Sequence, residues 1–290
     1  MLLRELQNIF HKVLDVIYSK EEVNSFFFLC LEHYLDFPRF QLALQPEYTI
    51  TKSETDIFFK ILEDLKQQKP IQYIFGKTAF YGLEFIVNAH VLIPRPETEE
   101  LVDWIIKDYK ERNETAKIKI LDIGTGSGCI AVSLAKHLQN AKVYSLDVSK
   151  EALNVAKQNA ELNEVDIQFI EANILNKNFH STLYTKSKFD IIVSNPPYVR
   201  HLEKPEIKSN VLDNEPHLAL FVEDKRPLVF YETISQFATN NLKRNGCLYF
   251  EINQYLGKET KQILIDANYE NIELRKDLNG NYRMLKGIKN

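Results

Sequence analysis

The stretch Lys117-Ile118-Lys119-Ile120-Leu121-Asp122-Ile123-Gly124-Thr125-Gly126-Ser127-Gly128 decides the fold. Residues 117–122 read as a strand and residues 129–138 as a helix, with three glycines in the five positions 124–128 between them. Glycines at such a junction let the backbone turn tightly and approach a ligand, with the N–H groups of the helix start facing it. Further strands are predicted over residues 141–147, 166–170 and 189–194, the last a nearly continuous apolar run, and a helix over 150–163. Strands alternating with helices predict an α/β fold, a parallel, doubly wound sheet covered on both faces. Residues 227–242 and 258–267 extend the pattern as helices and residues 247–252 as a strand, with a tail of further strands around Ile272 and Met284.

Upstream the pattern changes. Leu6, Ile9, Phe10, Val13, Leu14 and Ile17 recur at helical intervals, and no glycine interrupts residues 1–69. This predicts a small helical-bundle domain. Thr51-Lys52-Ser53-Glu54, ahead of Ile57, Phe58 and Ile61, has the look of a capped helix start. Residues 70–96 are rich in strand formers punctuated by Gly76 and Gly82, which predicts a β-hairpin linker. Pro94-Arg95-Pro96-Glu97-Thr98-Glu99-Glu100 then opens a helix with acids at its positive end, so the second domain is expected over 97–290.

Composition narrows the function classes. The 290 residues are 44% apolar and 26% charged, those of an ordinary globular protein of two domains. Lys and Arg number 36 against 40 Asp and Glu. Residues 1–90 hold 9 basic and 12 acidic residues, leaving 27 and 28 beyond, so neither half is a basic module and direct nucleic-acid binding is not expected. Cys30, Cys129 and Cys247 lie far apart, which suggests neither disulfides nor zinc and fits a reducing cytoplasm. No apolar run approaches the roughly 20 residues of a membrane span, and no targeting segment is read at the N-terminus. The histidines show no metal-ligand spacing; His201 and His217 read as surface or packing residues, Cys129 as a small packing residue, and no metal is expected.

Asp122, Asp147, Asn173 and Asn195 stand at the ends of four successive strands, the rim where open α/β sheets bind ligands. Asp147, after the second strand, suits the two hydroxyls of a ribose. The GxGxG loop, with Asp122 before it and Cys129 after it, resembles that of S-adenosylmethionine (SAM) methyltransferases of the Rossmann-like class; a dehydrogenase fingerprint would have glycine at 129. Asn195-Pro196-Pro197-Tyr198 follows the fourth strand. An amide or aromatic-amine nitrogen is a poor nucleophile, because its lone pair is delocalised. The Asn195 oxygen and the Pro196 carbonyl can each accept one N–H of a planar NH2 group and aim it at a methyl donor. The prolines make the frame rigid, and Tyr198 offers a ring face to a flat group.

Together with Asn214-Glu215-Pro216 and the segments Pro70-Ile71-Gln72-Tyr73-Ile74 and Leu92-Ile93-Pro94-Arg95-Pro96-Glu97-Thr98-Glu99, these motifs resemble the HemK/PrmC family, the N5-glutamine methyltransferases of peptide chain release factors. The resemblance spans nearly the whole chain. It implies methylation of the glutamine in the Gly-Gly-Gln motif of class I release factors, with S-adenosylhomocysteine as the second product, and a partner-recognising role for the helical domain. It also implies cofactor contacts from Gly124, Thr125, Gly126, Ser127, Gly128, Asp147, Asn173, Ile174 and Asn195. Asn195, Pro196 and Tyr198 become catalytic, and Asn195, Pro196, Pro197, Tyr198 and Glu215 substrate-binding. Asn173-Ile174 stand where the family often has Asp and an aromatic residue; Asn still bonds an adenine amino group and Ile still packs on the ring. Arg95 is open between fixing the linker and meeting the SAM carboxylate. The rival reading is a methyltransferase acting on adenine N6 or guanine N2.

Overall fold

The computed structural model describes residues 1–111, 116–176 and 188–290. The chain forms two compact units, one of Met1–Gly76 with Ser209–Asn214, the other of Lys77–Lys208 with Glu215–Asn290.

The first unit is helical: α1 Leu3–Leu14, α2 Lys20–Leu35, α3 Arg39–Leu44, α4 Lys52–Lys66 and α5 Ile71–Phe75. Its core is built on Leu3, Leu6, Phe10 and Leu14 of α1, packed on Phe27 and Leu31 of α2 and Phe58 and Leu62 of α4. The Phe10 and Phe27 rings meet edge to face at 5.4 Å, a geometry that suits the ring quadrupoles. Thr51 caps α4 as its sequence suggests: Glu54 N–H donates to Thr51 Oγ1 at 3.3 Å and Thr51 N–H to Glu54 Oε2 at 2.7 Å.

The expected linker 70–96 divides differently. Residues 71–75, read as strand formers, are helical, because Pro70 presets the first turn and Ile71 buries into the helical core with Ile74 and Phe75 packed against it. The helical unit therefore ends at Gly76 rather than at 69. The hairpin itself is β1 Lys77–Phe80 and β2 Leu83–Ile86, turned by Tyr81 and Gly82, both at positive φ (47° and 74°). It belongs to the second unit. Asn159, fully buried on α8 (Lys150–Leu162), accepts from Ile86 N–H at 2.6 Å and donates to Ile86 O at 3.0 Å and to Ser127 O at 2.8 Å.

That unit is built on a seven-stranded sheet in the order β10-β11-β9-β6-β3-β4-β5. Its members are β3 Ile118–Ile123, β4 Ala141–Asp147, β5 Ile167–Glu171, β6 Phe189–Ser194, β9 Leu242–Glu251, β10 Tyr269–Lys276 and β11 Tyr282–Lys289, while the short strands β7 Val199–Arg200 and β8 Phe221–Val222 pair with each other outside it. Pairings from β9 through β6, β3 and β4 to β5 are parallel, as expected. β11 is the exception. It runs antiparallel between β9 and β10, since the tight turn at Asp277–Gly280 that joins it to β10 allows only a hairpin. Helices α6 (Pro96–Glu111), α7 (Cys129–His137) and α8 cover one face, and helices Val229–Asn241 and Gly257–Asp266 the other. Successive β3 residues thus face opposite cores, Ile118 and Ile120 one, Leu121 and Ile123 the other, which is why these strands read as continuous apolar runs. Among the described residues no helix is long and apolar enough to cross a membrane.

Replacing Asn159 with Leu strands an N–H and two carbonyls in the interior. The variant is expected to lose on the order of 3 kcal/mol of unfolding free energy, read by urea denaturation of full-length protein. A loss below about 0.5 kcal/mol would show that the hairpin and the glycine loop do not depend on it.

Candidate active site

The parallel register sets the carboxyl ends of four strands level. Ile123 of β3 pairs with Leu146 of β4 and with Ser194 of β6, and Asp147 pairs with Glu171 of β5. Ser194 Oγ donates to Ile123 O at 2.7 Å and ties the two central strands at that level. The residues beyond these ends, from Gly124, Asp147, Asn173 and Asn195, surround a cavity of about 350 Å³, within the usual range for small-molecule sites. Thr125, Gly126, Ser127, Ile174, Pro196 and Pro197 also line it, with Arg95 and Thr98 from the start of α6. The structure thus brings together most of the residues singled out in the sequence.

The glycine loop works by shape. Gly124, Gly126 and Gly128 take φ of 75°, 54° and 80°. A Cβ on Gly128 would lie 3.0 Å from Ala156 Cβ, so this glycine lets α8 close on the loop and does not itself face the cavity. Gly124 and Thr125 N–H donate to Leu146 O at 2.8 and 3.1 Å, Gly128 N–H donates to Thr125 O at 2.8 Å, and Gly126 N–H donates to Asp147 Oδ2 at 2.8 Å. Three of these bonds tie the loop to the end of β4, and the fourth closes the loop on itself.

Asp147 also accepts from Ser149 N–H at 2.9 Å. Burial pushes its carboxyl up, and these N–H bonds pull it back. Asp122 lies below the loop, fully buried, accepting from Thr125 Oγ1 at 2.6 Å. Burial pushes it from its ordinary 3.8 up to about 7. Asn173 is exposed, and its Oδ1 accepts from Leu175 N–H at 2.9 Å, while Ile174 is buried against the cavity.

Asn195 Nδ2 donates to Thr98 Oγ1 at 3.3 Å. Thr98 Oγ1 in turn donates to Glu251 Oε2 at 2.6 Å, and Tyr198 Oη donates to Glu251 Oε1 at 3.0 Å. Glu251 is 1% exposed; burial raises its carboxyl and the two hydroxyls lower it. The Tyr198 phenol is driven far above its ordinary value, by burial first and then by the charge of Glu251, so it stays a donor. Asn253 Nδ2 donates to Tyr198 O at 2.9 Å and braces the end of the tetrapeptide.

Besides Gly128, two expected site residues stand elsewhere, Glu215 and Tyr198. Glu215 does not line the cavity: its carboxylate turns inward, paired with Arg95 Nη2 at 2.6 Å and accepting from Ile93 N–H at 3.1 Å. Through these two bonds Glu215 braces the segment ahead of α6. Arg95 is held by that ion pair and also reaches the cavity. The Tyr198 hydroxyl points to Glu251 and its ring packs against the core on the helix 229–241 side, outside the cavity lining. Cys129 lines the cavity, its thiol pushed up to about 12 by burial, so it is no nucleophile. His201 stacks on Phe221 and His217 meets the same ring edge-on. Among the described residues no cluster of His, Cys, Asp or Glu is arranged to hold a metal. Thr98 and Glu251 were not foreseen. The available signal was a carboxylate ending the apolar strand 247–252, the same pattern that marked Asp122 and Asp147.

Comparison with known proteins places this geometry. The chain is 54% identical over 286 residues to the release factor glutamine methyltransferase of Flavobacterium psychrophilum, covering 99% of each chain. The chain belongs to the release factor glutamine methyltransferase family. The relative of the same name in Bacteroides thetaiotaomicron is 40% identical over 272 residues, 94% of this chain and 95% of that one. Residues 105–219 match the methyltransferase small domain and residues 13–76 the PrmC N-terminal domain. Among solved structures, a methyltransferase of Pyrococcus furiosus aligns with TM-score 0.50 at 18% identity, over 79% of this chain and 98% of that one. The 16S rRNA N2 methyltransferase of Thermus thermophilus, solved with AdoMet and guanosine, aligns with TM-score 0.52 at 16% identity, over 74% of this chain and 50% of that one. Both share the Rossmann-like fold.

Asp122 gives this family member a pH signature. The folded carboxyl holds its proton up to about 7 while the unfolded one releases it near 3.8, so the folded state binds more protons in between. Its contribution to stability is full below that window and falls as pH rises through it. Denaturation of wild type and Asp122→Asn at pH 5 and pH 7.5 is expected to show a steeper loss in wild type; parallel losses would contradict the assignment.

Proposed function

We propose that this chain transfers the methyl group of SAM to the side-chain amide nitrogen (N5) of the glutamine in the Gly-Gly-Gln motif of class I peptide chain release factors, in the cytoplasm. One observation carries the reading: the Asn195 amide, at a residue that lines the cavity beside the glycine loop, is held by its NH2 on Thr98, which turns its oxygen away from Thr98. An acceptor so placed is what a planar NH2 substrate needs. Family membership favours a glutamine amide over the amines of adenine and guanine.

The residues fit SAM. Asp147 lines the cavity, and its carboxylate can accept from the hydroxyls of a ribose. Ile174 offers an apolar wall to a flat base, and Asn173 a polar edge. A Cβ on Gly126 would meet nothing within 4 Å, so the space over the loop is open for a ligand to approach the backbone. When bound, SAM supplies an electrophilic methyl on a sulfonium and leaves as S-adenosylhomocysteine.

The chain's own residues then orient the acceptor. Asn195 Oδ1 and the Pro196 carbonyl each accept one N–H of the glutamine amide, so its lone pair faces the methyl. Pro197 and Pro196 hold that frame stiff. Tyr198 remains protonated and acts as a donor, not a base. The helical unit, with its own core, is assigned to grip the release factor.

Labelled methyl transfer, run in parallel on purified release factor, DNA and ribosomal RNA, is expected to label the release factor; label confined to nucleic acid would overturn the reading. Asn195→Ala is expected to lower kcat about a hundredfold with little change in SAM affinity, since one of two acceptors is lost from the transition state. Asp147→Ala is expected to weaken SAM binding by about 1.5–3 kcal/mol, measured by calorimetry. Unchanged SAM affinity would remove Asp147 from the cofactor site.

A further inference from the structure

Thr98 and Glu251 lie outside the loop and the tetrapeptide, yet they decide which end of Asn195 meets the substrate. A hydroxyl has one proton. That of Thr98 is directed at Glu251 Oε2, 2.6 Å away, between two residues 3% and 1% exposed. Toward Asn195, Thr98 therefore offers only a lone pair. Only the NH2 end of the Asn195 side chain can bond to it, at 3.3 Å. The carbonyl oxygen is thereby turned away from Thr98, and Asn195 lines the cavity. With the amide reversed, its NH2 would confront the NH2 of an incoming glutamine, donor against donor. The second Glu251 oxygen is engaged in the same manner, accepting the Tyr198 hydroxyl at 3.0 Å. One buried carboxylate thus orients both ends of Asn195-Pro196-Pro197-Tyr198.

We propose that Glu251 is a positioning residue for methyl transfer: through the Thr98 hydroxyl it fixes the Asn195 oxygen toward the substrate amide, and through Tyr198 it holds the far end of the tetrapeptide. The proposal rests on the methyl transfer to an amide NH2 inferred above. A carboxylate is required because it accepts from two hydroxyls at once. A glutamine at 251 has one oxygen and one NH2. If the NH2 meets Thr98, the Thr98 proton is released toward Asn195 and the amide reverses; if it meets Tyr198, the phenol accepts instead of donating and its own proton is left buried without that acceptor. Thr98→Val keeps the shape of the side chain but removes the acceptor for Asn195, whereas Thr98→Ser keeps the hydroxyl.

The test is single-turnover methyl transfer from SAM to intact release factor, with SAM affinity measured by calorimetry, for full-length wild type, Glu251→Gln, Thr98→Val, Thr98→Ser and the Glu251→Gln/Thr98→Val double variant. Glu251→Gln and Thr98→Val are expected to lose about tenfold to a hundredfold in rate, with SAM dissociation constants within about twofold of wild type. Thr98→Ser is expected to stay within about threefold of wild type. The double variant is expected to be no slower than about threefold below Glu251→Gln, because both changes cut one relay. Wild-type rates in Thr98→Val, or equal losses in Thr98→Val and Thr98→Ser, would overturn the relay. So would a fall in rate matched by an equal fall in SAM affinity. The pair at Thr98 decides the matter even if Glu251→Gln does not fold. A wild-type protein that binds SAM but transfers nothing to release factor would instead overturn the substrate reading, and the relay with it.

Discussion

Everything at the site depends on the parallel register of β3 between β4 and β6. With Ile123 opposite both Leu146 and Ser194, the strands end at one level, and whatever follows each strand is delivered to the same rim. A shift of one residue would turn every side chain of a strand to the other face and break the packing of both cores. The glycine loop and the tetrapeptide are far apart in sequence, yet only 3.8 Å would separate a Cβ on Gly124 from the Asn195 carbonyl oxygen.

A second regularity is layered on the first. Carboxylates end β4 and β9 as Asp147 and Glu251, and Asp122 sits one residue inside the end of β3. Burying such groups is costly, and their carboxyls shift upward accordingly. Each offsets part of that cost by collecting donors: Thr125 at Asp122, the N–H groups of Gly126 and Ser149 at Asp147, and the hydroxyls of Thr98 and Tyr198 at Glu251. The same bonds fix the loop, the Asp147 side of the cavity and the tetrapeptide. Polar groups kept in a core are thus tied to the geometry that the chemistry requires.

The sequence made the sheet legible because its strands are buried on both faces and its loop carries glycines that only a tight junction needs. Thr51 and Glu54 announced a helix start by local chemistry alone, and the helix begins there. The segment 71–75 misled because Tyr73, Ile74 and Phe75 favour strands intrinsically, while burial of Ile71 in the helical core outweighs that preference. Asn173 and Asn195 were found from their places after strands and Ile174 by resemblance, and all three line the cavity. Glu215 was assigned by resemblance; its partners Arg95 and Ile93 lie more than a hundred residues away, and pairing across such a separation leaves no local mark. Thr98 and Glu251 were missed for the same reason, being 153 positions apart and joined by one hydroxyl.

The central claim is that the Asn195 oxygen faces the substrate because Thr98 holds its NH2. A crystal structure of the full chain with S-adenosylhomocysteine and a Gly-Gly-Gln peptide tests it directly. The account predicts the glutamine amide nitrogen within hydrogen-bond distance of Asn195 Oδ1 and the Pro196 carbonyl, with Asn195 Nδ2 still on Thr98. A glutamine amide bound away from both acceptors, in an otherwise occupied site, would contradict it.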